Sequence, residues 1–173
     1  MNKLIIAILG LLLASVPAHA EELVVRMHLI DSTGVGKDIG TVGLSSSPYG
    51  TIVTPDLSGL TPGLHGFHVH ENPSCGPGIK EGKEIPGLAA GGHYDPADTG
   101  MHKGPYSNGH LGDLPALYVD KDGKATLPIL APRLKLSDFK GRSLIIHAGG
   151  DNYSGYPEKL GGGGARVACG VLE

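Results

Sequence analysis

The sequence predicts an all-β domain with long loops, and three observations support this fold class. Glycine and proline are abundant, at 29 and 13 of 173 residues, and they separate short apolar segments without forming repeats. Several of these segments alternate between apolar and polar residues, as half-buried strands do. No helical periodicity extends beyond one or two turns. Because Trp is absent and Phe occurs only 2 times, the core is expected to consist of Val, Leu, Ile and Ala.

The N-terminal segment, residues 1–20, is predicted to be a signal peptide that is cleaved before Glu21. Lys3 provides a positive start, residues 4–16 are apolar, and Ala-His-Ala at residues 18–20 fits a small-x-small cleavage site. The apolar run is short for a bilayer span, which argues against a retained N-terminal anchor. Residues 21–173 are then one exported domain, located in the periplasm of a double-membraned cell and secreted by other cells.

The charge balance excludes some classes of partner. Without Lys3, the mature chain keeps 13 of the 14 basic residues against 17 acidic ones, a net charge of about −4 with neutral histidines. Nucleic-acid and anionic-membrane surfaces need clustered Lys and Arg, so neither partner is expected. A small anionic substrate remains compatible with this balance, because a locally positive entrance can attract it.

The first half of the mature chain contains four predicted strands, at residues 23–30, 40–44, 51–54 and 64–71. The first strand places Val25, Met27 and Leu29 on one face. The run Ser-Ser-Ser-Pro-Tyr-Gly forms the turn between the second and third strands, and a Thr-Pro-Gly break precedes the fourth.

The second half contains four more predicted strands, at residues 116–119, 125–130, 143–148 and 165–172. Asp-Lys-Asp-Gly at residues 120–123 is a typical hairpin signal between the first two of them. Residues 137–141 are predicted to form one helical turn, with Ser137 as its N-cap. The total is about eight strands.

Two long loops, at residues 72–115 and 151–164, show little periodicity. A loop as long as the first is unusual unless something orders it. The two cysteines, Cys75 and Cys169, are expected to form a disulfide in an exported chain. This disulfide would close a loop of about 95 residues, for which loop entropy predicts roughly 4–5 kcal/mol as an upper value. A pair of buried free thiols, or a cysteine metal ligand, remains an alternative.

The strongest chemical signal is a group of histidines. His68 and His70 are separated by one residue in a predicted strand, so both rings project from the same face. A second group follows at the spacing H-x8-H-x7-H-x2-D and consists of His93, His102, His110 and Asp113. Imidazole binds Zn, Cu, Fe and Ni, while carboxylate is a harder donor. The sequence therefore predicts two metal sites.

Each of these residues also has a simpler interpretation. Most H-x-H pairs on strands bind nothing, and single loop histidines are usually solvated. His65 lies on the strand face opposite His68, and His28 lies in the first strand, so both are interpreted as structural. Lys159 is interpreted as a solvated charge, and the four glycines at 161–164 as either a flexible linker or a close backbone approach to a site.

Five segments of the chain resemble the exported bacterial branch of the copper/zinc superoxide dismutases. These segments are GFHVHE, GGHYDP, MHKGPYSNGHLGDLP, IIHAGGDN and GGGGARVACGV. The resemblance covers essentially all of the mature chain, in the same order. It implies an eight-stranded Greek-key β-barrel, an immunoglobulin-like sandwich of which these enzymes are themselves a standard example.

The resemblance also implies roles for individual residues. Copper is expected on His68, His70, His93 and His147, and zinc on His93, His102, His110 and Asp113, with His93 bridging the two metals as an imidazolate. Arg166 matches the arginine that borders the copper and guides the anionic substrate. Asp151 matches the carboxylate that links a copper-ligand histidine, here His68, to a zinc-ligand one, here His102. Cys75 and Cys169 match the disulfide within the subunit.

The implied activity is dismutation of superoxide to dioxygen and hydrogen peroxide by alternate reduction and reoxidation of one copper ion, with one redox-silent zinc ion per subunit. In the family mechanism, His93 is protonated on the copper side when the copper is reduced. Two other functions stay open on the residues alone. One is copper storage or delivery without turnover, and the other is a two-zinc hydrolase with Glu71 as its base. A homodimer is also an open possibility.

Overall fold

The computed structural model describes residues 21–173, so the predicted signal peptide at residues 1–20 lies outside the described residues. The strands are β1 Glu22–Asp31, β2 Gly34–Ser47, β3 Gly50–Ser58, β4 Gly63–His65, β5 Phe67–His70, β6 Gly78–Lys80, β7 Lys83–Ile85, β8 Leu117–Val119, β9 Lys124–Ala125, β10 Ile129–Ala131, β11 Arg142–His147 and β12 Arg166–Leu172. Short 3-10 turns lie at Leu88–Ala90, Leu136–Asp138 and Lys159–Gly162. No helix within residues 21–173 is long and apolar enough to cross a membrane.

Eight strands form one antiparallel sheet, in the order β10-β3-β2-β1-β12-β11-β5, with β9 also paired to β3. Strand β1 pairs with β2 on one side and with β12 on the other, so the first and last strands lie side by side. The curled sheet confirms the predicted all-β, eight-stranded Greek-key barrel. Two small two-stranded sheets, β4-β8 and β6-β7, complete the structure.

The hydrophobic core lies inside the curled sheet and follows the period-two alternation of its strands. In β3, Val53 and Leu57 are buried while the intervening Thr54 and Asp56 are exposed. Each such Val or Leu contributes about 1.5–3 kcal/mol through burial. Val, Leu, Ile and Ala dominate the core as expected, but Met27 and the two phenylalanines at 67 and 139 are also fully buried in it.

The predicted strand 64–71 is wrong as a single element, because the chain changes partners at Gly66. Strand β4 before it pairs with β8, whereas β5 after it pairs with β11. The N–H of Gly66 donates to the Gly149 carbonyl at 2.8 Å, and its own carbonyl accepts from the His147 N–H at 2.8 Å. A Cβ at this position would lie 3.1 Å from Cε1 of His68. Gly66 therefore lets the backbone approach both histidines closely.

The turn predicted at residues 120–123 is confirmed, but the hairpin predicted around it is wrong. The turn forms, with the Gly123 N–H donating to the Asp120 carbonyl at 3.1 Å. Its flanking strands do not form a ladder with each other, because β8 pairs with β4 while β9 and β10 pair with β3. The predicted strand 125–130 is also interrupted between β9 and β10, where Pro128 cannot donate a ladder hydrogen bond.

Two short elements in the loops also differ from the prediction. The helical turn near Ser137 begins earlier, with Lys135 as its N-cap residue, and the Lys135 N–H donates to the Asp138 carboxylate at 2.8 Å. Ser137 is therefore not the N-cap. Strands β6 and β7 form a small hairpin inside the loop 72–115, which had been predicted to lack regular structure.

Candidate metal centre

The centre is built on β5, which carries two histidines along one edge of the main sheet. On one side β5 pairs with β11, which ends at His147. On the other side the long loop at residues 72–115 lies against β5. The Val69 N–H donates to the Gly112 carbonyl and the Tyr94 N–H donates to the Val69 carbonyl, both at 2.9 Å. These bonds bring the loop histidines next to those of the strand, although they are far apart in sequence.

Four imidazoles meet in the first set of donors, those of His68, His70, His93 and His147. One ring nitrogen from each lies within 4.8 Å of the others, and all four residues are buried. The ring of His93 is central, with its centroid 3.9 Å from that of His68 and 5.0 Å from that of His70. The donor set is thus made only of nitrogen, which suits copper.

Hydrogen bonds fix the orientation of the rings in this first set. The Nδ1–H of His70 donates to the Gly91 carbonyl at 3.0 Å, and the Nδ1–H of His147 donates to the Gly164 carbonyl at 3.2 Å. The Nε2–H of His68 donates to Asp151 Oδ2 at 2.7 Å. With these nitrogens protonated, the opposite ring nitrogens carry lone pairs that face the shared space.

The second set of donors consists of His93, His102, His110 and Asp113. Oδ1 of Asp113 lies 2.9 Å from Nδ1 of His93 and 3.5 Å from Nδ1 of His110, and Oδ2 lies 3.1 Å from Nδ1 of His102. Three nitrogens and one carboxylate oxygen are a donor set that suits zinc. The donors that lie within 4.8 Å of one another here are those of His93, His102, Asp113 and His68, and His110 lies outside that group, next to Asp113. His68 is placed in the first set because its Nε2 is bonded to Asp151 and its Nδ1 lies with the other three imidazoles.

Buried ring nitrogens without hydrogen-bond partners provide a test of whether metals fit here. These atoms, among residues 21–173, are His68 Nδ1, His70 Nε2, His93 Nε2, His102 Nδ1, His110 Nδ1 and His147 Nε2. A buried polar atom left unpaired costs about 1–3 kcal/mol, so six in one place require an explanation. The four copper-side nitrogens and two zinc-side nitrogens are the atoms that would bind ions. The residues present therefore fit copper and zinc.

Asp151 connects the two sets of donors. Its Oδ2 accepts from Nε2–H of His68 at 2.7 Å, and its Oδ1 accepts from Nε2–H of His102 at 2.8 Å. Oδ1 also accepts the backbone N–H of Tyr153 at 2.8 Å. A Cβ at Gly161 would collide with this carboxylate. The glycine tract can therefore pass close to the centre only because it has no side chains.

The protonation states of three donors suit metal binding, whereas His102 must lose a proton to bind zinc, because hydrogen bonds to Asp113 and Asp151 outweigh burial and raise its pKa to about 9. Burial lowers the pKa of His68 to about 3 and that of His147 to about 4, so both rings are neutral near pH 7. Burial alone would raise the pKa of Asp113, but hydrogen bonds from His102 and His93 hold it well below its ordinary value. Neutral imidazoles and an ionised carboxylate are the forms that bind metal ions.

Arg166 lies at the start of β12, opposite His147 in the antiparallel register. Its guanidinium donates from Nη1 to the Gly87 carbonyl and from Nη2 to the Gly91 carbonyl, the latter at 2.6 Å. Gly91 is also the residue whose carbonyl orients His70. The positive charge of Arg166 contributes to the lowered pKa of His70, after the larger effects of burial and of His93.

The disulfide between Cys75 and Cys169 is confirmed, with the two Cα atoms 5.7 Å apart. The alternatives of free thiols and of a cysteine ligand are therefore wrong. Cys169 belongs to β12, so the bond attaches the loop that carries Gly87 and Gly91 to the barrel. The disulfide and Arg166 thus hold the same loop against the centre.

The remaining candidates from the sequence lie outside both sets of donors. His65 is buried, with its Nδ1 2.7 Å from the His147 carbonyl and its Nε2 2.8 Å from the Thr61 carbonyl, so it joins backbone segments. His28 is partly buried in β1, and Lys159 is exposed. The carboxylate of Glu71 accepts the Gly92 N–H at 2.9 Å and is exposed.

Sequence reasoning missed two residues that contact the centre's supporting loops. Arg133 donates four hydrogen bonds to backbone carbonyls between residues 104 and 110. The hydroxyl of Tyr153 accepts the Ala116 N–H at 2.9 Å. Neither residue belongs to a spaced motif, so no local signal distinguishes them from surface residues.

Comparison with known proteins links this geometry to one family. The family model described as copper/zinc superoxide dismutase matches residues 39–172. Superoxide dismutase [Cu-Zn] 1 of Salmonella typhimurium is 59% identical over 176 residues, covering 100% of this chain and 99% of that protein. The solved Cu/Zn superoxide dismutase from Brucella abortus is 56% identical with a TM-score of 0.87, over 88% of this chain and 100% of that one. The monomeric enzyme from Salmonella enterica, solved in solution, is 52% identical with a TM-score of 0.80 over the same shares.

Proposed function

This chain belongs to the copper/zinc superoxide dismutase family, and we propose which of its side chains hold the metals and act on the substrate. The protein is an oxidoreductase that dismutes superoxide to dioxygen and hydrogen peroxide with one copper and one zinc ion. Copper would be held by His68 Nδ1 and by Nε2 of His70, His93 and His147. Zinc would be held by Nδ1 of His93, His102 and His110 and by the carboxylate of Asp113. The observation that carries this assignment is the set of six buried, unpartnered ring nitrogens.

Bound copper supplies a redox couple that takes an electron from one superoxide and gives it to the next, while zinc stays redox-silent. The chain's own residues manage the proton and the anion. Nδ1 of His93 is held beside Asp113 at 2.9 Å, so Nε2 is the atom of this ring that can take up a proton. Deprotonation of that atom then supplies one of the two protons of hydrogen peroxide, and solvent supplies the other. His93 is therefore proposed as both bridge and catalytic residue.

Arg166 is proposed to attract and hold the anionic substrate. Two of its N–H groups are bonded to the Gly87 and Gly91 carbonyls, which fixes the plane of the guanidinium. The five donors of a guanidinium leave further N–H groups for superoxide. Superoxide dismutases are a standard example of electrostatic steering, so the expected effect is on the association rate.

Two matched variants test the ligand assignment. His147→Ala removes a donor from the copper set only, and His110→Ala removes a donor from the zinc set only. We expect the first purified protein to keep zinc and lose copper, and the second to keep copper and lose zinc, as measured by elemental analysis after equal metal loading. Loss of the opposite metal in either variant would contradict the assignment.

Residues 1–20 are proposed to be a signal peptide, and the mature enzyme, residues 21–173, to act in the periplasm. The apolar run and the Ala-His-Ala site support this, and so does the disulfide, because such bonds form in oxidising compartments. Intact-mass analysis of protein from the periplasmic fraction should give a chain that begins at Glu21. A full-length mass in the cytoplasmic fraction would contradict this proposal.

The oligomeric state is proposed to be monomeric. The related enzyme from Salmonella enterica is a monomer, so the homodimer left open by the sequence has no support from it. Light scattering on the metal-loaded protein should give the mass of one chain at micromolar concentration. A mass of two chains would favour the homodimer.

A further inference from the structure

Arg133 lies two residues after the end of β10 and extends from the barrel into the loop at residues 93–113, here called the zinc loop. Its Nε donates to the Pro105 carbonyl at 2.9 Å, and its Nη1 donates to the Gly109 carbonyl at 3.2 Å. Its Nη2 donates to the Gly104 carbonyl at 3.2 Å and to the His110 carbonyl at 2.6 Å. One side chain thus contacts four separate carbonyls of the zinc loop.

This guanidinium is satisfied in an unusual way for a partly buried cation. It forms no ion pair with a carboxylate within residues 21–173, and its hydrogen bonds to side-chain or backbone atoms all go to carbonyl oxygens. Four carbonyl dipoles directed at one point would repel each other without a positive charge between them. Removing the guanidinium therefore leaves the loop without the group that makes its present shape favourable.

The four carbonyls flank two of the proposed zinc ligands. The His110 carbonyl belongs to a ligand, and the His110 N–H is itself held by the Met101 carbonyl at 2.9 Å. Gly104 follows His102 by two residues, and its N–H donates to Asp113 Oδ2 at 3.1 Å. Arg133 thus binds the Gly109–His110 peptide unit, whose N–H is held by Met101, and it binds the carbonyl of Gly104, the residue whose N–H donates to Asp113.

The base of Arg133 is rigid. Ala131, at the end of β10, pairs with Thr51 of β3, and Leu134 is buried in the core. The Leu134 carbonyl accepts from Thr51 Oγ1 at 2.8 Å. The Arg133 side chain therefore starts from a fixed backbone, and its hydrogen bonds hold the zinc loop at a fixed place relative to the barrel.

We propose that Arg133 is a positioning residue that holds the zinc loop in its metal-binding shape before zinc binds. The proposal rests on the zinc ligands assigned under Proposed function. Without Arg133, zinc has to order the loop as it binds, and this ordering reduces its affinity. The copper set is less dependent on Arg133, because His68, His70 and His147 lie on β5 and β11.

The planar fork of arginine is essential to this role. Its nitrogens reach carbonyls on both arms of the loop at once, whereas a lysine ammonium is a single point with three donors. Arg133→Lys keeps the charge and most of the side chain but loses the fork. Arg133→Met keeps only the apolar stem.

The experiment measures zinc binding by chelator competition and records the visible d–d absorption of Co²⁺ bound to the metal-free protein. The test variants are Arg133→Met and Arg133→Lys. Leu44→Ala is a control that weakens the core at β2, away from Arg133, and Arg26→Met is a control that removes an exposed arginine, whose partner is Asp38. Copper binding to each variant shows whether the barrel is folded.

We expect Arg133→Met to raise the zinc dissociation constant about 10–100-fold and to alter the Co²⁺ spectrum, with Arg133→Lys closer to Arg133→Met than to the wild type. Both controls should keep the wild-type Co²⁺ spectrum and zinc affinity. Zinc affinity in Arg133→Met within threefold of the wild type would overturn the proposal, and so would an equal loss in Leu44→Ala. Full recovery in Arg133→Lys would overturn the role of the fork.

If the wild-type chain itself gives no tetrahedral Co²⁺ spectrum, the zinc-ligand assignment fails instead. Should Arg133→Met not fold, the Arg133→Lys comparison decides.

Discussion

The substitution Asp151→Asn tests how far one carboxylate organises both metal sites. In the wild type, Asp151 accepts hydrogen bonds from His68 at 2.7 Å and from His102 at 2.8 Å. Asparagine has the same shape but only one acceptor oxygen, so its NH₂ group must face one of the two ring N–H groups. At least one hydrogen bond between imidazole and carboxylate is therefore lost, and the buried carboxylate charge is lost with it.

The magnitude follows from these contacts. A hydrogen bond to a charged group contributes about 1.5–3 kcal/mol, which equals about 10–100-fold in affinity at 1.4 kcal/mol per tenfold. His68 is also held by strand β5, whereas His102 lies on a loop, so the orientation of His102 depends more on Asp151. We expect zinc affinity to fall about 10–100-fold in Asp151→Asn and copper affinity to fall less.

The assay is chelator competition for each metal on the metal-free protein at one pH. Asp95→Asn is the matched control, because Asp95 lies in the zinc loop, as His102 does, and its carboxylate bonds to Thr99 and Gly100, not to a histidine. The control should bind both metals as the wild type does. Unchanged zinc and copper affinities in Asp151→Asn would refute the reasoning, and so would a larger loss of copper than of zinc.

Three further predictions concern the substrate, the pH and the disulfide. Arg166→Glu should lower kcat/KM at least tenfold and reverse its dependence on ionic strength, because the charge near the copper set changes sign; an unchanged salt dependence would contradict steering. The metal-free protein should be most stable near pH 6.5 in urea unfolding. Below that pH the unfolded chain gains protons that folded His68 and His147, with pKa values of about 3 and about 4, do not, so stability falls by about 1.4 kcal/mol per pH unit for each of these rings. Above it, stability is lost as pH rises through about 9, the pKa of His102, where hydrogen bonds to Asp113 and Asp151 outweigh burial; stability that kept rising to pH 9 would contradict this. Cys75→Ser should lower the free energy of unfolding by about 2–5 kcal/mol in urea titrations, since the disulfide closes a separation of 94 residues, and a change below 1 kcal/mol would refute that estimate.

Most donors of the centre were accessible from the sequence because their spacing is local. His68 and His70 alternate on one strand, and the four donors of the zinc set span the 21 residues from His93 to Asp113, whereas the distant His147 was assigned only through the resemblance. Their meeting in space depends on hydrogen bonds between β5 and residues 94–114, which no spacing rule predicts. The resemblance to a family predicted which donors meet, and the structure brings the histidines of β5, β11 and the zinc loop together.

The strand boundaries were less accessible. The Asp-Lys-Asp-Gly turn formed as predicted, because a turn is decided by four consecutive residues. The pairing of β8 with β4 and of β10 with β3 is decided by distant parts of the chain. The local hairpin pattern therefore predicted the wrong strand partners. Gly66 divides a segment that reads as one continuous strand, for a reason that only the two neighbouring histidines reveal.

Arg133 shows where sequence reasoning ends. Its neighbours Pro132 and Leu134 give no sign of a functional role, and its partners are backbone carbonyls, which any sequence could supply. The distance of 23 residues between Arg133 and His110 is bridged only in the folded chain. Residues that act through backbone groups leave no residue-type pattern at the other end of the contact.

The measurement that tests the central claim most directly is superoxide consumption by the mature protein, residues 21–173. One sample is loaded with copper and zinc, and the other with zinc alone after chelation. Fast, catalytic consumption that requires copper is the predicted result. Bound copper and zinc without turnover above the metal-free control would contradict it, as would equal turnover in the sample that contains no copper.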